Sequence, residues 1–313
     1  MILFPILNYL SKNKLSCFKW GATILKTAKI FLVLLFAITL IACLSEKDEK
    51  GEKHQSKNWG RGPFKKARGF VRTANRMGYM DTVTNNLLQK YLNFAPHAPG
   101  HLMDLGCAWG YATEQILALE EKDPFLKLKK RKLFAVDVSQ KHVDYVAKHT
   151  SPEIVEAIRT QFPNQDSKKA KEAFSPNSLG ATYAGLIFPY LNGTELTQGL
   201  KLLYQATAPS GRIYLSVDTP SAFPSIAQVF LRRKKSKDLH PGWFPNLDYG
   251  SHIPERIRKQ LPDSIHVFDL ETVYNYVEGA GFRVLDYFRF TRQKGGGGQG
   301  METIGLVAEK KKE

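Results

Sequence analysis

Hydrophobic and polar positions follow two alternating patterns along the chain from residue 70 onward. Short apolar runs that end in polar residues predict buried strands, as in HLMDL at 101–105 and KLFAVDV at 132–138. The segment at 139–149 instead repeats apolar residues every three or four positions after the capping residue Ser139, which predicts a helix. Its apolar face is formed by Val143, Val146 and Ala147. Strands that alternate with helices predict an α/β fold with right-handed crossovers between parallel strands.

The same two patterns predict the remaining elements. Helices are predicted at 81–94, 111–119, 193–209 and 268–282, and strands at 181–191 (with an exit loop), 210–218, 283–290 and 301–310. The last helix begins at the capping residue Asp269 and stops at Gly281. Its apolar stripe consists of Leu270, Val273, Tyr274 and Val277. The final two strands are expected to pair, and the glycine-rich segment 293–300 between them is interpreted as a mobile loop without a ligand.

The N-terminal segment 1–45 has a composition of its own. No Asp or Glu occurs before residue 46, and lysines precede the unbroken apolar run IFLVLLFAITLIACL at 30–44, which predicts a signal or membrane-anchor segment. The run is shorter than the roughly 20 residues of a comfortable bilayer span. Its end, Leu40–Cys43, resembles a bacterial lipobox, in which the cysteine is acylated. We therefore expect membrane association through a lipoprotein segment or an uncleaved anchor, and the side of the membrane stays open because lysines flank the run at both ends.

Length, charge and cysteine content limit the possible domain organisation and partners of the rest of the chain. The 313 residues fit one domain over 70–313, preceded by a solvated polar linker over 46–69. The net charge of +16 comes from basic clusters, which favour anionic lipid or nucleic acid as partners or form solvated faces. These clusters lie at 65–68, 127–132, 168–171, 232–237 and 310–312. The cysteines are Cys17, Cys43 and Cys107, so the domain has no internal disulfide and no CxxC metal cluster, and we expect no metal.

The segment HLMDLGCAWGYATEQ at 101–115 is the strongest candidate for a binding site. It predicts a strand, a tight turn and a helix, which is the junction where doubly wound folds place nucleotides. A dinucleotide fingerprint requires glycines at 106, 108 and 111, but the chain has Gly106, Ala108 and Tyr111. No Gly-Lys-Ser or Gly-Lys-Thr follows, which excludes a phosphate-binding P-loop.

The pattern Asp104, Gly106, Ala108, Gly110 instead resembles the first motif of class I S-adenosylmethionine-dependent methyltransferases, acid-x-Gly-x-Gly-x-Gly, with Ala108 at the middle glycine. The resemblance continues through 134–149, 178–217 and 270–288, and it covers residues 75–313 except 219–266. It implies a doubly wound, mostly parallel seven-stranded sheet with an antiparallel last strand. It also implies S-adenosylmethionine as the cofactor.

The resemblance assigns cofactor contacts residue by residue. The candidates are Asp104, Gly106, Cys107, Ala108, Trp109 and Gly110 in the turn, Asp137 and Val138 after the second strand, Asp166 for the third motif, and Gly185 in the methyl-lining loop 184–188. A turn without side chains lets the backbone approach the cofactor, and the helix behind it favours the methionine carboxylate. Asp137 would accept from the ribose hydroxyls. Asp104 either orients the amino acid end of the cofactor or stabilises the turn, and both roles can hold.

The sequence gives weaker evidence for the methyl acceptor than for the cofactor. Methyl transfer from a sulfonium depends on positioning more than on a catalytic base. The segment IFPY at 187–190 keeps only the last two positions of the Asp/Asn-Pro-Pro-aromatic motif of base-modifying enzymes. The insertion 219–266 is placed where the family carries substrate-covering elements. Candidate acceptor-side residues are His240, Trp243, Phe244, Tyr249 and His252, with His240, His252 and Tyr190 as possible catalytic groups. We expect a small or lipid-like, amphiphilic acceptor; RNA and a catalytically silent binding protein are the alternatives.

Overall fold

A central sheet organises the described part of the chain. The computed structural model describes residues 86–120, 130–247, 263–290 and 301–312. Its strands are β1 (His101–Leu105), β2 (Leu133–Asp137), β3 (Val155–Arg159), β4 (Leu179–Gly185), β5 (Thr207–Asp218), β6 (Trp243–Phe244), β7 (Ile265–His266), β8 (Arg283–Phe290) and β9 (Thr303–Glu309). Seven of them form one sheet in the order β3-β2-β1-β4-β5-β9-β8. Strands β1 to β5 are parallel, and β9 runs antiparallel to both β5 and β8. The predicted fold class is confirmed.

The helices of the described part of the chain lie on both faces of this sheet, except for the one in the insertion 219–266. They are α1 (Asn86–Phe94), α2 (Tyr111–Glu120), α3 (Gln140–His149), α4 (Lys168–Ala173), α5 (Gly193–Ala206), α6 (Pro224–Lys235) and α7 (Leu270–Gly279). Residues of α1, α2 and α3 pack in one apolar cluster with Leu102 of β1. Residues of α4, α5 and α7 pack in another with Met103 and Leu105 of the same strand. Successive strand residues point to opposite faces, so a buried parallel sheet needs apolar residues at consecutive positions.

The structure corrects several sequence-based expectations. Strand β3 and helix α4 lie in a segment that the sequence pattern left without regular structure. In α3, Ala147 is exposed and His142 is buried, because Trp109 packs against that side of the helix. Ser139 is the N-terminal residue flanking α3, but its side chain makes no capping hydrogen bond. Strand β5 begins at Thr207, earlier than the predicted residue 210.

Other predictions fall on parts of the chain outside the described residues. These are the leader 1–45, the linker 46–69, the helix start at 81–85 and the loop 293–300. Within 86–120, 130–247, 263–290 and 301–312, no helix is both long and apolar enough to cross a bilayer.

The described part of the insertion 219–266 has an apolar cluster of its own. Helix α6 and the antiparallel pair β6–β7 bury Ile226, Phe230, Phe244 and Ile265 together with Val267 just beyond it. Several contacts join this unit to the elements around the main sheet, including an ion pair and a histidine hydrogen bond. His266 Nδ1 lies 3.0 Å from the Leu191 carbonyl oxygen in the loop after β4, and Lys234 pairs with Asp269 at the start of α7 over 2.5 Å.

Candidate functional site

The site lies at the carboxyl ends of β1, β2 and β4. Strand β1 is paired with β2 on one side and β4 on the other, so the chain changes direction across the sheet at β1, where doubly wound folds have a crevice. The turn 106–110 follows β1 directly. The N–H groups of Gly106 and Cys107 donate to the Val136 carbonyl oxygen over 2.8 and 3.0 Å, which fixes the turn against β2.

Three residues of this turn have left-handed backbone conformations. The φ angles are +76° at Gly106, +44° at Ala108 and +79° at Gly110. Glycine adopts such angles freely, whereas a residue with a Cβ is strained there by roughly 1–2 kcal/mol. The alternating motif therefore corresponds to alternating left-handed positions, and Ala108 occupies the middle one under strain.

Asp104 connects the end of β1 to the start of α2. Its Oδ2 accepts hydrogen bonds from the Thr113 N–H over 2.9 Å and from the Thr113 hydroxyl over 2.7 Å. Burial raises the pKa of Asp104 to about 6, against the opposing effect of the Thr113 hydrogen bonds. The carboxyl group thus holds the first turn of α2, where helical N–H groups have no intrahelical acceptor. This is the turn-stabilising role; the orienting role toward a cofactor stays a prediction.

Asp137 connects the turn after β1 to the segment before α3 through hydrogen bonds. Its Oδ2 accepts from the Ala108 N–H over 2.8 Å, and its Oδ1 accepts from the Ser139 N–H over 2.8 Å. His142 Nδ1 lies 3.1 Å from Oδ1. A carboxylate offers about four acceptor positions, so about one stays open on Oδ2. The binding of ribose hydroxyls by Asp137 stays a prediction. Sequence reasoning missed His142, whose only signal is its place five residues after Asp137, in the first turn of α3.

The other predicted cofactor-binding residues of this region, Cys107, Trp109 and Val138, differ in their exposure to solvent. The Cys107 thiol is buried in the core, and burial raises its pKa well above the usual value, so only the backbone of Cys107 can face the crevice. The Trp109 ring lies 4.6 Å from the His142 ring and 5.1 Å from the Tyr145 ring, in edge-to-face arrangements. Val138, next to Asp137, is 60% exposed and forms an apolar surface beside the carboxylate.

The loop after β4 lies against the turn. A Cβ added to Gly106 would lie 3.5 Å from the Ile187 Cβ, so these two loops are in van der Waals contact range. The Leu186 N–H donates to Ser216 Oγ over 3.0 Å, which fixes this loop to β5. Gly185 lies under the Tyr183 ring, with a hypothetical Cβ 3.1 Å from the Tyr183 hydroxyl oxygen. Tyr183 itself is buried in the apolar cluster that includes α1 and α2.

Asp166 reaches the same edge of the sheet from the loop after β3. The Thr160 hydroxyl donates to Asp166 Oδ1 over 2.7 Å, and the Thr160 N–H donates to the Asp137 carbonyl oxygen over 3.1 Å. Thr160 therefore bridges the ends of β2 and β3. The Asp166 side chain is exposed, and its assignment to the third motif and its contact with a cofactor stay predictions.

The candidate catalytic residues have different environments. Tyr190 ends the short helix Phe188–Tyr190 after β4 and is 47% exposed. His240 packs over Gly193 at the start of α5, and its Nδ1 lies 2.5 Å from the Tyr276 hydroxyl oxygen. His252 and Tyr249 lie outside the described residues.

The insertion also buries a histidine that sequence reasoning did not select. His266 stacks on Phe268 with ring centroids 4.4 Å apart and meets Trp243 edge to face. Burial lowers the pKa of His266 to about 4, so the ring is neutral at physiological pH. Phe244 belongs to the apolar cluster of the insertion. Among the described residues, no group of three or more His, Cys, Asp or Glu side chains is arranged to hold a metal ion.

Comparison with known proteins gives matches to solved structures. No protein-family profile matches the sequence, and no curated protein sequence matches it. An S-adenosylmethionine dependent methyltransferase from Mesorhizobium loti is similar, with 14% identity, 73% of this chain and 100% of that chain covered, and a TM-score of 0.49. A SAM-dependent methyltransferase from Methanosarcina mazei has 13% identity, coverage of 68% and 93%, and a TM-score of 0.46.

A third similar structure contains bound ligands. It is the Burkholderia thailandensis 1,6-didemethyltoxoflavin-N1-methyltransferase with 1,6-didemethyltoxoflavin and S-adenosylhomocysteine. The identity is 13%, 74% of this chain and 82% of that chain are covered, and the TM-score is 0.45. At this level of similarity, the function has to be argued from the residues of this chain.

Proposed function

We propose that the chain transfers the methyl group of S-adenosylmethionine to a small or amphiphilic acceptor. The observation that carries the proposal is the left-handed turn 106–110 held against the Asp137 carboxylate at the crevice of the sheet. The turn brings backbone rather than long side chains to the crevice, and the carboxylate supplies a hydrogen-bond acceptor beside it.

The residues at the crevice fit this cofactor better than a phosphorylated one. The turn 106–110 contains no Lys or Arg, and the acidic side chains Asp137 and Asp166 stand at the same edge. Carboxylates repel phosphate groups but suit hydroxyl and ammonium groups. When bound, S-adenosylmethionine supplies a methyl group already activated by its sulfonium charge.

Each part of the site has a separate role in binding. The open acceptor position on Asp137 Oδ2 takes a ribose hydroxyl, and the exposed Val138 side chain provides an apolar surface for the adenine ring. Gly106 leaves space between the turn and Ile187. The first N–H groups of α2 favour the carboxylate of the methionine moiety.

The acceptor side is formed by the loop after β4 and the insertion. The exposed Tyr190 side chain in the loop after β4 favours an acceptor with an apolar part. Positioning of the acceptor can supply most of the rate, so the proposal requires no catalytic base. We further propose that segment 1–45 associates the protein with a membrane, which would bring it close to amphiphilic acceptors, with the side of the membrane open.

Titration calorimetry of the full chain with S-adenosylhomocysteine tests cofactor binding. Saturable binding that adenosine diphosphate does not compete away supports the proposal, and absence of binding contradicts it.

Incubation of cell extracts with isotopically labelled S-adenosylmethionine, followed by mass spectrometry, then identifies the acceptor. A labelled RNA whose binding weakens steeply with salt would favour the RNA alternative. Cofactor binding without transfer to any acceptor would favour a binding protein.

A further inference from the structure

The outer side of helix α6 combines apolar and cationic side chains. Residues Gln228, Leu231, Arg232 and Lys235 are exposed at the spacing of one helical face. Leu231 is 47% exposed, and Leu239, just beyond the helix, is 82% exposed. We call the set Leu231, Arg232, Lys235, Lys237 and Leu239 the α6 face.

The opposite side of α6 is anchored, so the α6 face has a fixed orientation. Ile226 and Phe230 are buried against Phe244, Ile265 and Val267. Lys234 bonds to Asp269 over 2.5 Å and to Glu271 over 2.6 Å at the start of α7. The leucines of the α6 face cannot turn inward without breaking these contacts.

Arg233 holds the segment after the helix in place. Its Nε donates to Asp238 Oδ2 over 2.7 Å, and its terminal nitrogens donate to the carbonyl oxygens of His240 and Trp243. Asp238 Oδ1 also accepts from the His240 N–H over 3.0 Å. These bonds fix both sides of Leu239, so the exposed leucine is presented by an ordered segment.

The charges of this region are arranged unevenly. The carboxylates near α6 are already paired, Asp238 with Arg233 and Asp269 with Lys234. Glu271 also pairs with Lys234. In contrast, no ion pair between described residues involves Arg232, Lys235 or Lys237. The α6 face therefore carries three cations and two exposed leucines.

We propose that the α6 face binds the surface of an anionic lipid bilayer. The leucines enter the boundary between headgroups and acyl chains, and the cations contact anionic headgroups. This site is separate from segment 1–45 and does not depend on methyl transfer. It would place the insertion, and the loop after β4 that His266 contacts, next to the membrane.

The side chains of the face favour lipid over nucleic acid. Proteins that bind single-stranded nucleic acid combine cations with aromatic side chains on which bases stack. The α6 face has leucines in those places, and exposed leucines gain free energy from hydrocarbon but have no partner on a phosphate backbone. The cations alone would suit either a lipid surface or a nucleic acid. The two exposed leucines are therefore the feature that favours the lipid surface.

A fluorescent label on the face tests the proposal in the full chain. In a Cys17→Ser, Cys43→Ser background, Leu239→Cys carries an environment-sensitive dye, while the buried Cys107 stays unlabelled. Vesicles of equal parts phosphatidylcholine and phosphatidylserine should blue-shift and brighten the dye. The response should be about tenfold stronger than with phosphatidylcholine alone, because each cation adds to the attraction. The combined changes Arg232→Gln, Lys235→Gln and Lys237→Gln should remove this preference.

The matched control places the dye on another exposed leucine, Leu285→Cys on β8. A response at 239 but not at 285 supports the proposal, even if segment 1–45 also attaches the protein to vesicles. An equal response at both positions, no response at 239, or a response that survives the three Gln substitutions overturns it. A response to an RNA oligonucleotide in place of vesicles overturns it as well. The substituted residues Arg232, Lys235, Lys237, Leu239 and Leu285 are exposed, and unchanged melting temperatures confirm that the variants fold.

Discussion

The backbone N–H of Ala108 lies 2.8 Å from the Asp137 Oδ2 atom, and this hydrogen bond joins the turn after β1 to the end of β2. The two residues are separated by 29 positions in sequence. The bond means that the carboxylate expected to bind ribose also shapes the turn expected to approach the cofactor. The two parts of the site should therefore respond together to substitution.

Asp137→Ala should weaken binding of S-adenosylhomocysteine by about 2 to 4 kcal/mol, because a charge-assisted hydrogen bond is lost and the turn loses its acceptor at Ala108. Calorimetry measures the change. The matched control is Asp144→Ala, an exposed carboxylate on α3, which should leave the affinity unchanged. Unchanged affinity in Asp137→Ala, in a variant that still melts cooperatively, would contradict the ribose assignment.

Ala108→Gly should stabilise the domain by about 0.5 to 1 kcal/mol. The φ of +44° strains alanine, and glycine relieves that strain but has a more flexible unfolded state, so the net gain is smaller than the strain itself. Denaturant unfolding measures it. Ala112→Gly, at a helical position in α2, should instead destabilise by about 1 kcal/mol. If both variants were destabilised equally, the left-handed conformation of Ala108 would be refuted.

Gly106→Ala should lower both stability and cofactor affinity. The φ of +76° strains any residue with a Cβ by about 1 to 2 kcal/mol. The added methyl group would also fill space between the turn and Ile187, and we expect binding to weaken about tenfold or more. Gly279→Ala is the control, because its Cβ would meet nothing within 4 Å. Normal binding by Gly106→Ala would remove this residue from the site.

Asp104→Asn should change how stability depends on pH. The folded-state pKa of about 6 lies above the usual 3.8, so the unfolded chain releases this proton first and the free energy of unfolding falls as the pH rises from about 4 to 6. Asparagine does not titrate, and its amide oxygen can still accept from Thr113. Relative to the wild type, the variant should therefore gain on the order of 2 to 3 kcal/mol between pH 4 and pH 7.

Urea unfolding at several pH values measures this difference. His266, with a lowered pKa of about 4, has the opposite effect, because stability falls as the pH drops below about 6.5. That effect is common to both proteins and cancels in the comparison. Asp144→Asn, at an exposed position, should show the pH dependence of the wild type. A parallel pH dependence of Asp104→Asn and the wild type would show that Asp104 has an ordinary pKa.

The fold was predictable where burial left a simple pattern. Strands β1, β2 and β4 are buried on both faces and appear in the sequence as apolar runs. Strand β3 lies at the edge of the sheet, where half-exposed positions admit Glu156 and Arg159, so its five residues contain no apolar run. An edge strand of this kind cannot be separated from a loop by hydrophobicity alone.

The site was predictable as far as local motifs extend. Gly106, Ala108 and Gly110 were recognised because they match the alternating positions of a known family motif, and in the structure all three have left-handed φ angles. The links from Asp137 to Ala108 and from Ile187 to Gly106 join distant segments, and no spacing rule within one segment reports them. His142 looked like a polar helical residue because its burial depends on Trp109 from another loop.

Strand β9 lies between β5 and β8, although it follows both of them in the chain. During synthesis on the ribosome, β8 therefore emerges before β9, its only neighbour among the described strands of the sheet. Until β9 arrives, both backbone edges of β8 are open to pairing with other nascent chains, a known route to aggregation. The charged residues Arg283, Asp286 and Arg289 interrupt its apolar sequence, and such charges discourage that pairing. The order of the strands thus leaves β8 exposed to wrong pairing during the interval between the synthesis of β8 and that of β9.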